Sequence, residues 1–188
     1  ETYFYRPRGN KTKFAGCING FPMQQRNWCV SRLKTDMLNS INKSDMTYIG
    51  IAADEPNRFH NLTETKRSPL VEAGWTEAMC REWCENNDRL SSIYTMATRG
   101  GCWFCHNQGV EQLRLLRKNY PDLWALLLKW DADSPITFHP RGRTVAHFET
   151  RFQMEDDGKL VAGDKRFRWA QVLPNLRKDN IHENYPES

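Results

Sequence analysis

Cys102 and Cys105 stand two residues apart in the stretch Gly100-Gly101-Cys102-Trp103-Phe104-Cys105-His106. That spacing lets two thiolates reach one metal ion or cluster from a single turn. The same pair could equally serve as a redox dithiol. The two glycines let the backbone bend tightly with no side chain in the way. A pair is only half a site, so the remaining ligands have to come from elsewhere in the chain. His106 is able to replace a missing thiolate.

Four other cysteines are available: Cys17, Cys29, Cys80 and Cys84. Cys29 sits near the start of a helical pattern, where the helix N-terminus and the cations Arg26, Arg32 and Lys34 favour the thiolate. By itself it reads as a small buried hydrophobe; beside Cys102 and Cys105 it reads as a ligand. Cys80 and Cys84 are four apart and share a helical face. They could be a pair of helical ligands, but core packing is the stronger reading and a disulfide within one helix is geometrically awkward, so both are left out of the site.

The chain of 188 residues is long enough for one domain with a real core. Its formal charge of +4 permits an anionic partner without demanding one. Seven tryptophans exclude a disordered chain, and no run of about 18 apolar residues is present to span a membrane. The even cysteine count allows disulfides, yet nothing else argues for secretion, so a reducing cytoplasm is expected. The opening Glu1-Thr2-Tyr3-Phe4-Tyr5-Arg6 is neither a signal peptide nor a start, which reads as a fragment or a processed chain.

The elements that must position these residues follow from periodicity. Residues Arg6 to Lys13 form an exposed basic loop, either solvated or touching phosphate. From Trp28 the pattern is helical, with Leu33, Met37, Leu38 and Ile41 on one face. Thr47 to Ala53 reads as a buried strand, followed by Asp54-Glu55-Pro56-Asn57-Arg58 at its carboxyl end, where α/β proteins place ligand contacts. Arg58 offers a planar fork to an anion, and Asp54 and Glu55 are expected to orient it. Ser68 to Glu72 reads as extended. Thr76 is the expected N-cap of a helix that carries Glu77 in its first turn. Val110 to Trp130 is the strongest helical stretch, restarted at Pro121, with Leu126-Leu127-Leu128 as core. Thr144 to Phe152 reads as one more helix. The part after Asp156 is charged and broken, with Phe167, Trp169 and Val172 docking it.

Taken in order, the motifs are Trp28-Cys29 with Leu33-Lys34, Tyr48-Ile49-Gly50-Ile51-Ala52-Ala53-Asp54-Glu55 with Arg58, Pro69-Leu70-Val71-Glu72 before Trp75-Thr76-Glu77, Cys102-Trp103-Phe104-Cys105, and Pro121-Asp122-Leu123-Trp124. This series resembles the phosphoadenosine phosphosulfate reductase family, especially its phage and bacterial reductase-like proteins of unassigned substrate. The resemblance spans roughly Phe14 to Phe152. It implies an α/β chain, the carboxyl-terminal part of an adenine nucleotide α-hydrolase-like fold of the PP-loop superfamily. Such a fold is a mostly parallel sheet flanked by helices, helix-rich here after residue 75. Residues 1–155 would form the cysteine-site domain, and 156–188 a charged extension docking on it.

Cluster-bearing members of that family hold a four-iron four-sulfur cluster with a Cys-Cys pair and a later Cys-x-x-Cys. Cys29 matches the first of the pair, Val30 replaces the second, and Cys17 close upstream is the substitute. The implied ligand set is Cys17, Cys29, Cys102 and Cys105, with iron–sulfur ahead of zinc. The same matching makes Lys34 and Arg58, and more weakly Arg32, anion contacts for an adenine nucleotide or a phosphosulfate. The family's Ser-Gly-Gly-Lys-Asp-Ser-type phosphate loop is missing here, as is the late cysteine nucleophile of the true reductases, so no residue is assigned as catalytic. A missing segment or a second chain would supply the loop. The rival expectation is a non-catalytic module with a structural metal that binds nucleic acid or a partner protein. For nucleic acid, Arg6 to Lys13 and Lys165-Arg166-Phe167-Arg168-Trp169 interleave charge with aromatics.

Overall fold

A computed structural model describes residues 2–9, 15–22, 28–41, 44–95, 100–139, 142–164 and 166–172. Helices dominate, joined by one small parallel sheet. The chain divides into two compact units, Glu1–Trp28 with Ala97–Ser188, and Cys29–Met96. Residue 155, the expected end of the cysteine-site domain, lies in the last turn of a helix, Val145–Asp156.

α1 (Trp28–Val30) starts one residue before the Cys29–Met96 unit, which continues with a π-turn over Ser31–Thr35 and α2 (Asp36–Ile41). The Asp36 N–H donates to the Ser31 carbonyl, five residues back. One extra residue in a turn shifts the phase of the side chains that follow. The face predicted to be apolar is solvent-exposed: Leu33 is 41% accessible, Met37 62%, Leu38 59% and Ile41 77%.

The strand expected over Thr47–Ala53 is shorter. β1 (Thr47–Tyr48) pairs in parallel with β2 (Lys66–Arg67), and the Thr47 and Ile49 N–H groups donate to the Thr65 and Arg67 carbonyls at 2.8 and 2.9 Å. Beyond Tyr48 the backbone leaves the ladder, because the Ile51 carbonyl accepts the Ser68 hydroxyl (2.6 Å) and the Ala53 N–H turns to the Trp75 carbonyl (2.7 Å). Ile51, Ala52 and Ser68 are the buried residues of this unit among those described. Ser68 to Glu72, expected to be extended, closes a short helix, α3 (Pro69–Glu72). Ser68 caps it by accepting the Val71 N–H, and Pro69 takes the first helical position, where its missing N–H costs nothing.

α4 (Glu77–Asn86) starts as predicted, with the Thr76 hydroxyl accepting the Met79 N–H. It contains no buried residue, so Cys80 and Cys84 are half-buried and not core.

The other unit is built on α5 (Val110–Asn119), α6 (Pro121–Asp133) and α7 (Val145–Asp156). The restart at Pro121 is as expected, with Tyr120 between the two helices. Leu113, Leu116, Trp124, Leu127, Trp130, Phe148 and Phe152 form one buried cluster with Phe4, Phe21 and Phe138. Residues 4–8 run antiparallel to 17–20, held by Arg8 N–H to Cys17 carbonyl (2.8 Å) and Gly20 N–H to Phe4 carbonyl (3.0 Å). This pairing carries Phe4 onto Trp130, ring centroids 4.9 Å apart. α8 (Trp169–Val172) follows, and Trp169 packs edge-on against Phe148 at 5.1 Å. Among the described residues no helix is long and apolar enough to cross a membrane.

Candidate metal centre

The Cys102–Cys105 segment is a closed turn. The Cys105 N–H donates to the Cys102 carbonyl at 3.0 Å, and the Gln108 N–H to the Cys105 carbonyl at 3.0 Å. The Gln108 side-chain amide adds a second bond to the Cys102 carbonyl at 2.7 Å. Positions one and four of such a turn lie close together, so the backbones of the two cysteines bracket a small loop. The residues between them anchor the loop to the core. Trp103 and Phe104 pack against Trp130 of α6, with ring centroids 5.2 and 5.8 Å away. Aromatic burial therefore holds the middle of the turn, and Cys102 at its start stays exposed.

All six cysteines are free thiols. Cys17 is exposed, in the strand-like segment facing Arg8, and belongs to the same unit as Cys102 and Cys105. Cys29 is half-buried in α1 and belongs to the other unit. Among the described residues no three Cys, His, Asp or Glu side chains stand together as a ready-made ion cage. The chemistry of the donors nevertheless suits a metal, since two thiols on one turn form a half-site for zinc or an iron–sulfur cluster. His106 follows directly, 4% accessible, and its Nε2 is buried without a hydrogen-bond partner among the described residues. Burial pushes its pKa down. Gln108 has no counterpart in the predicted site. Its position six residues after Cys102, next to the helix-starting Gly109, is the only sequence signal that points to it.

The three residues predicted to contact an anion all lie in Cys29–Met96. Arg32 pairs with Asp36 one turn on, at 2.9 Å, both half-exposed. Lys34 is exposed on the π-turn. Arg58 lies in a 3-10 turn, Pro56–Asn61, and its Nη1 donates to both carboxylate oxygens of Glu55 at 2.8 and 2.9 Å. The Arg58 guanidinium and the Ala52 N–H hold the Glu55 carboxyl below its ordinary pKa. Glu55 thus orients Arg58 as expected. Asp54 does not; its Oδ1 accepts the Glu77 N–H at 3.0 Å and helps to cap α4.

Of the basic arm, Arg8 is committed to the backbone carbonyls of Ile18 and Asn19, at 3.2 and 2.5 Å, and Arg6 lies over the Tyr3 ring. Lys11, Lys13 and Lys165 lie outside the described residues. Near the other end, Arg166 is tied to Asp164 and Arg168 donates to the Phe167 carbonyl.

No protein-family model matches this chain, and comparison with curated proteins and with solved structures returns no match.

Proposed function

We propose that this chain carries the metal centre of a phosphoadenosine phosphosulfate reductase-like protein of the PP-loop superfamily. It would work in the cytoplasm as the carboxyl-terminal part of an adenine nucleotide α-hydrolase-like fold, beside a segment or second chain that brings the phosphate loop. The observation that carries the metal half of this reading is the Cys102–Cys105 turn, hydrogen-bonded shut and anchored by Trp103 and Phe104. The family half rests on the order of the motifs from Trp28 to Trp124. Cys17, Cys29, Cys102 and Cys105 are the proposed ligands, for an iron–sulfur cluster ahead of zinc.

The anion contact has support in Arg58. Among the described residues Glu55 takes Nη1 alone, which leaves Nε and Nη2 for an oxyanion. Lys34 adds positive charge from the π-turn. In this reading the nucleotide or phosphosulfate is bound through its phosphate, and the cysteine centre positions substrate or sulfur.

A second reading is favoured by the exposed side chains of Met37, Leu38 and Ile41, a stretch of apolar surface of the kind that marks an interaction site. It makes the chain a non-catalytic module, its metal structural, held against a partner protein or a nucleic acid.

Protein purified without oxygen is the test. Iron with acid-labile sulfide, and a broad visible absorption lost in Cys102→Ser, support the enzyme-component reading. One zinc per chain moves the assignment to the structural module. No metal at all overturns the centre. Independently, Arg58→Ala and Lys34→Ala should each weaken binding of an adenine nucleotide about tenfold, a loss of about 1.4 kcal/mol. Unchanged affinity in both variants overturns the anion site.

A further inference from the structure

Cys102 and Cys105 stand at the two ends of one hydrogen-bonded turn. The Cys105 N–H donates to the Cys102 carbonyl at 3.0 Å, and the Gln108 side-chain amide pins the same carbonyl at 2.7 Å. A four-residue turn of this kind keeps its first and last Cα atoms within about 7 Å. A disulfide spans Cα separations of about 4.4–6.8 Å, so the backbone of this turn has the reach of a disulfide without opening. The two thiols differ in access. Cys102 is exposed and Cys105 half-buried, and both are unoxidised. A dissolved reagent therefore meets the Cys102 sulfur first, and Cys105 is the neighbour placed to complete an exchange within the chain. Trp103 and Phe104, between them, seat on Trp130 with ring centroids 5.2 and 5.8 Å away. Folding has thus already met the entropy cost of bringing the two cysteines together.

We propose that Cys102 and Cys105 form a dithiol that reduces low-molecular-weight disulfides, with Cys102 the attacking thiol and Cys105 the resolving one. This goes beyond the metal reading of the turn, because exchange needs the two thiols alone. In the first step the Cys102 Sγ loses its proton to solvent and attacks one sulfur of the small disulfide. That S–S bond breaks, and its electron pair leaves on the other sulfur, which takes up a proton. In the second step the Cys105 Sγ loses its proton and attacks the Cys102 Sγ. The mixed disulfide breaks, and the second small thiol departs with its proton. The small disulfide has gained two electrons and two protons, and the turn has lost the same number to become a Cys102–Cys105 disulfide.

The test treats the full-length chain, as purified, with oxidised glutathione, then quenches with acid, alkylates the remaining thiols and maps the linkages by peptide mass spectrometry. The expected product is a Cys102–Cys105 disulfide, with two reduced glutathiones released for each one formed. Cys102→Ser should slow glutathione release from the turn at least about tenfold, since exchange rates follow the access of the attacking thiol. Cys105→Ser should stop at glutathione bound to Cys102. Because Cys105 is half-buried and its variant could disturb the turn, early quenches of the wild type are also mapped, where glutathione on Cys102 should precede the internal bond. Glutathione that reaches Cys105 first overturns the assigned roles. Separate, lasting glutathione adducts on Cys102 and Cys105, or both thiols still reduced when other cysteines have reacted, overturn the proposal. Metal content is followed in the same samples. An ion that stays bound while the disulfide forms overturns the metal centre and leaves the dithiol. An ion that stays bound while both thiols resist glutathione overturns the dithiol and leaves the centre.

Discussion

Arg114 of α5 and Glu155 of α7 form a two-pronged bridge, Nε to Oε2 at 2.7 Å and Nη2 to Oε1 at 3.0 Å. The same carboxylate takes Arg151 from its own helix at 2.9 Å, and the side chains of Glu155 and Arg151 are each only 7% accessible. Burial pushes the Glu155 carboxyl up, but the two guanidiniums outweigh it and hold the pKa below the ordinary range. Losing the charge of Glu155 leaves the buried Arg151 guanidinium without its carboxylate, while Arg114 keeps only Glu111. Glu155→Gln should therefore cost about 3–5 kcal/mol, read by urea unfolding with tryptophan fluorescence. A loss under about 1 kcal/mol would mean that Arg114 and Arg151 find water instead.

The start of α7 sets a pH dependence. His147 Nδ1 accepts the Thr144 N–H at 3.1 Å while the Thr144 hydroxyl accepts the His147 N–H at 3.2 Å. A protonated Nδ1 cannot accept, and burial lowers the His147 pKa below its ordinary value. A lowered folded pKa means stability present above the unfolded pKa, near 6.5, and lost as pH falls through the folded value. Asp131 on α6, which accepts the Ala146 N–H at 3.1 Å, works with the opposite sign. Burial raises its pKa, so its contribution is full below about 3.9 and is lost as pH rises through the folded value. His147→Gln should flatten the loss of stability between pH 6.5 and 5 that the wild type shows in thermal melts. An equal slope in both proteins would show that the cap does not titrate.

Gly20 has φ of +65°, and its N–H donates to the Phe4 carbonyl. A Cβ there would run into Ser134 Oγ and lie 2.9 Å from Pro135 Cδ. That hydroxyl also accepts the Phe21 N–H at 3.1 Å, so pushing it aside unties the segment that seats Phe21 in the core. Gly20→Ala should lower stability by at least about 2 kcal/mol, from the left-handed backbone and the displaced bond together. A calorimetric midpoint equal to the wild type would contradict this packing.

Gln108→Ala removes the 2.7 Å bond that pins the Cys102 carbonyl. The turn keeps its backbone bond, so the fold should survive while zinc affinity falls about tenfold, the usual scale for a group that orients a ligand. Competition against a zinc chelator reads the change. Equal affinities would place Gln108 outside the metal site.

The features legible in the sequence were the local ones. The Pro121 restart, the Thr76 cap and the helix through Phe148 and Phe152 each depend on residues a few positions apart, where periodicity and capping chemistry act. The turn at Cys102–Cys105 was legible for the same reason. The Ser68-Pro69 start of α3 carried an equally local signal, a cap residue before proline, but it competes with the extended preference that proline imposes on its predecessor.

Other features were decided only when distant segments met. The exposure of Leu33, Met37, Leu38 and Ile41 depends on what packs against a helix, and an amphipathic pattern carries no record of its partner. The ladder ends at Tyr48 because Ser68 and Trp75 compete for the next backbone groups. The burial of His106 and the binding of Gln108 to the Cys102 carbonyl follow from Trp103 and Phe104 seating on Trp130, a contact more than 20 residues away. Sequence alone determined which residues can donate to a metal and which short segments coil. Tertiary packing decided which of those donors are buried and unpaired, because burial and hydrogen-bond competition arise between residues that are not neighbours in the chain.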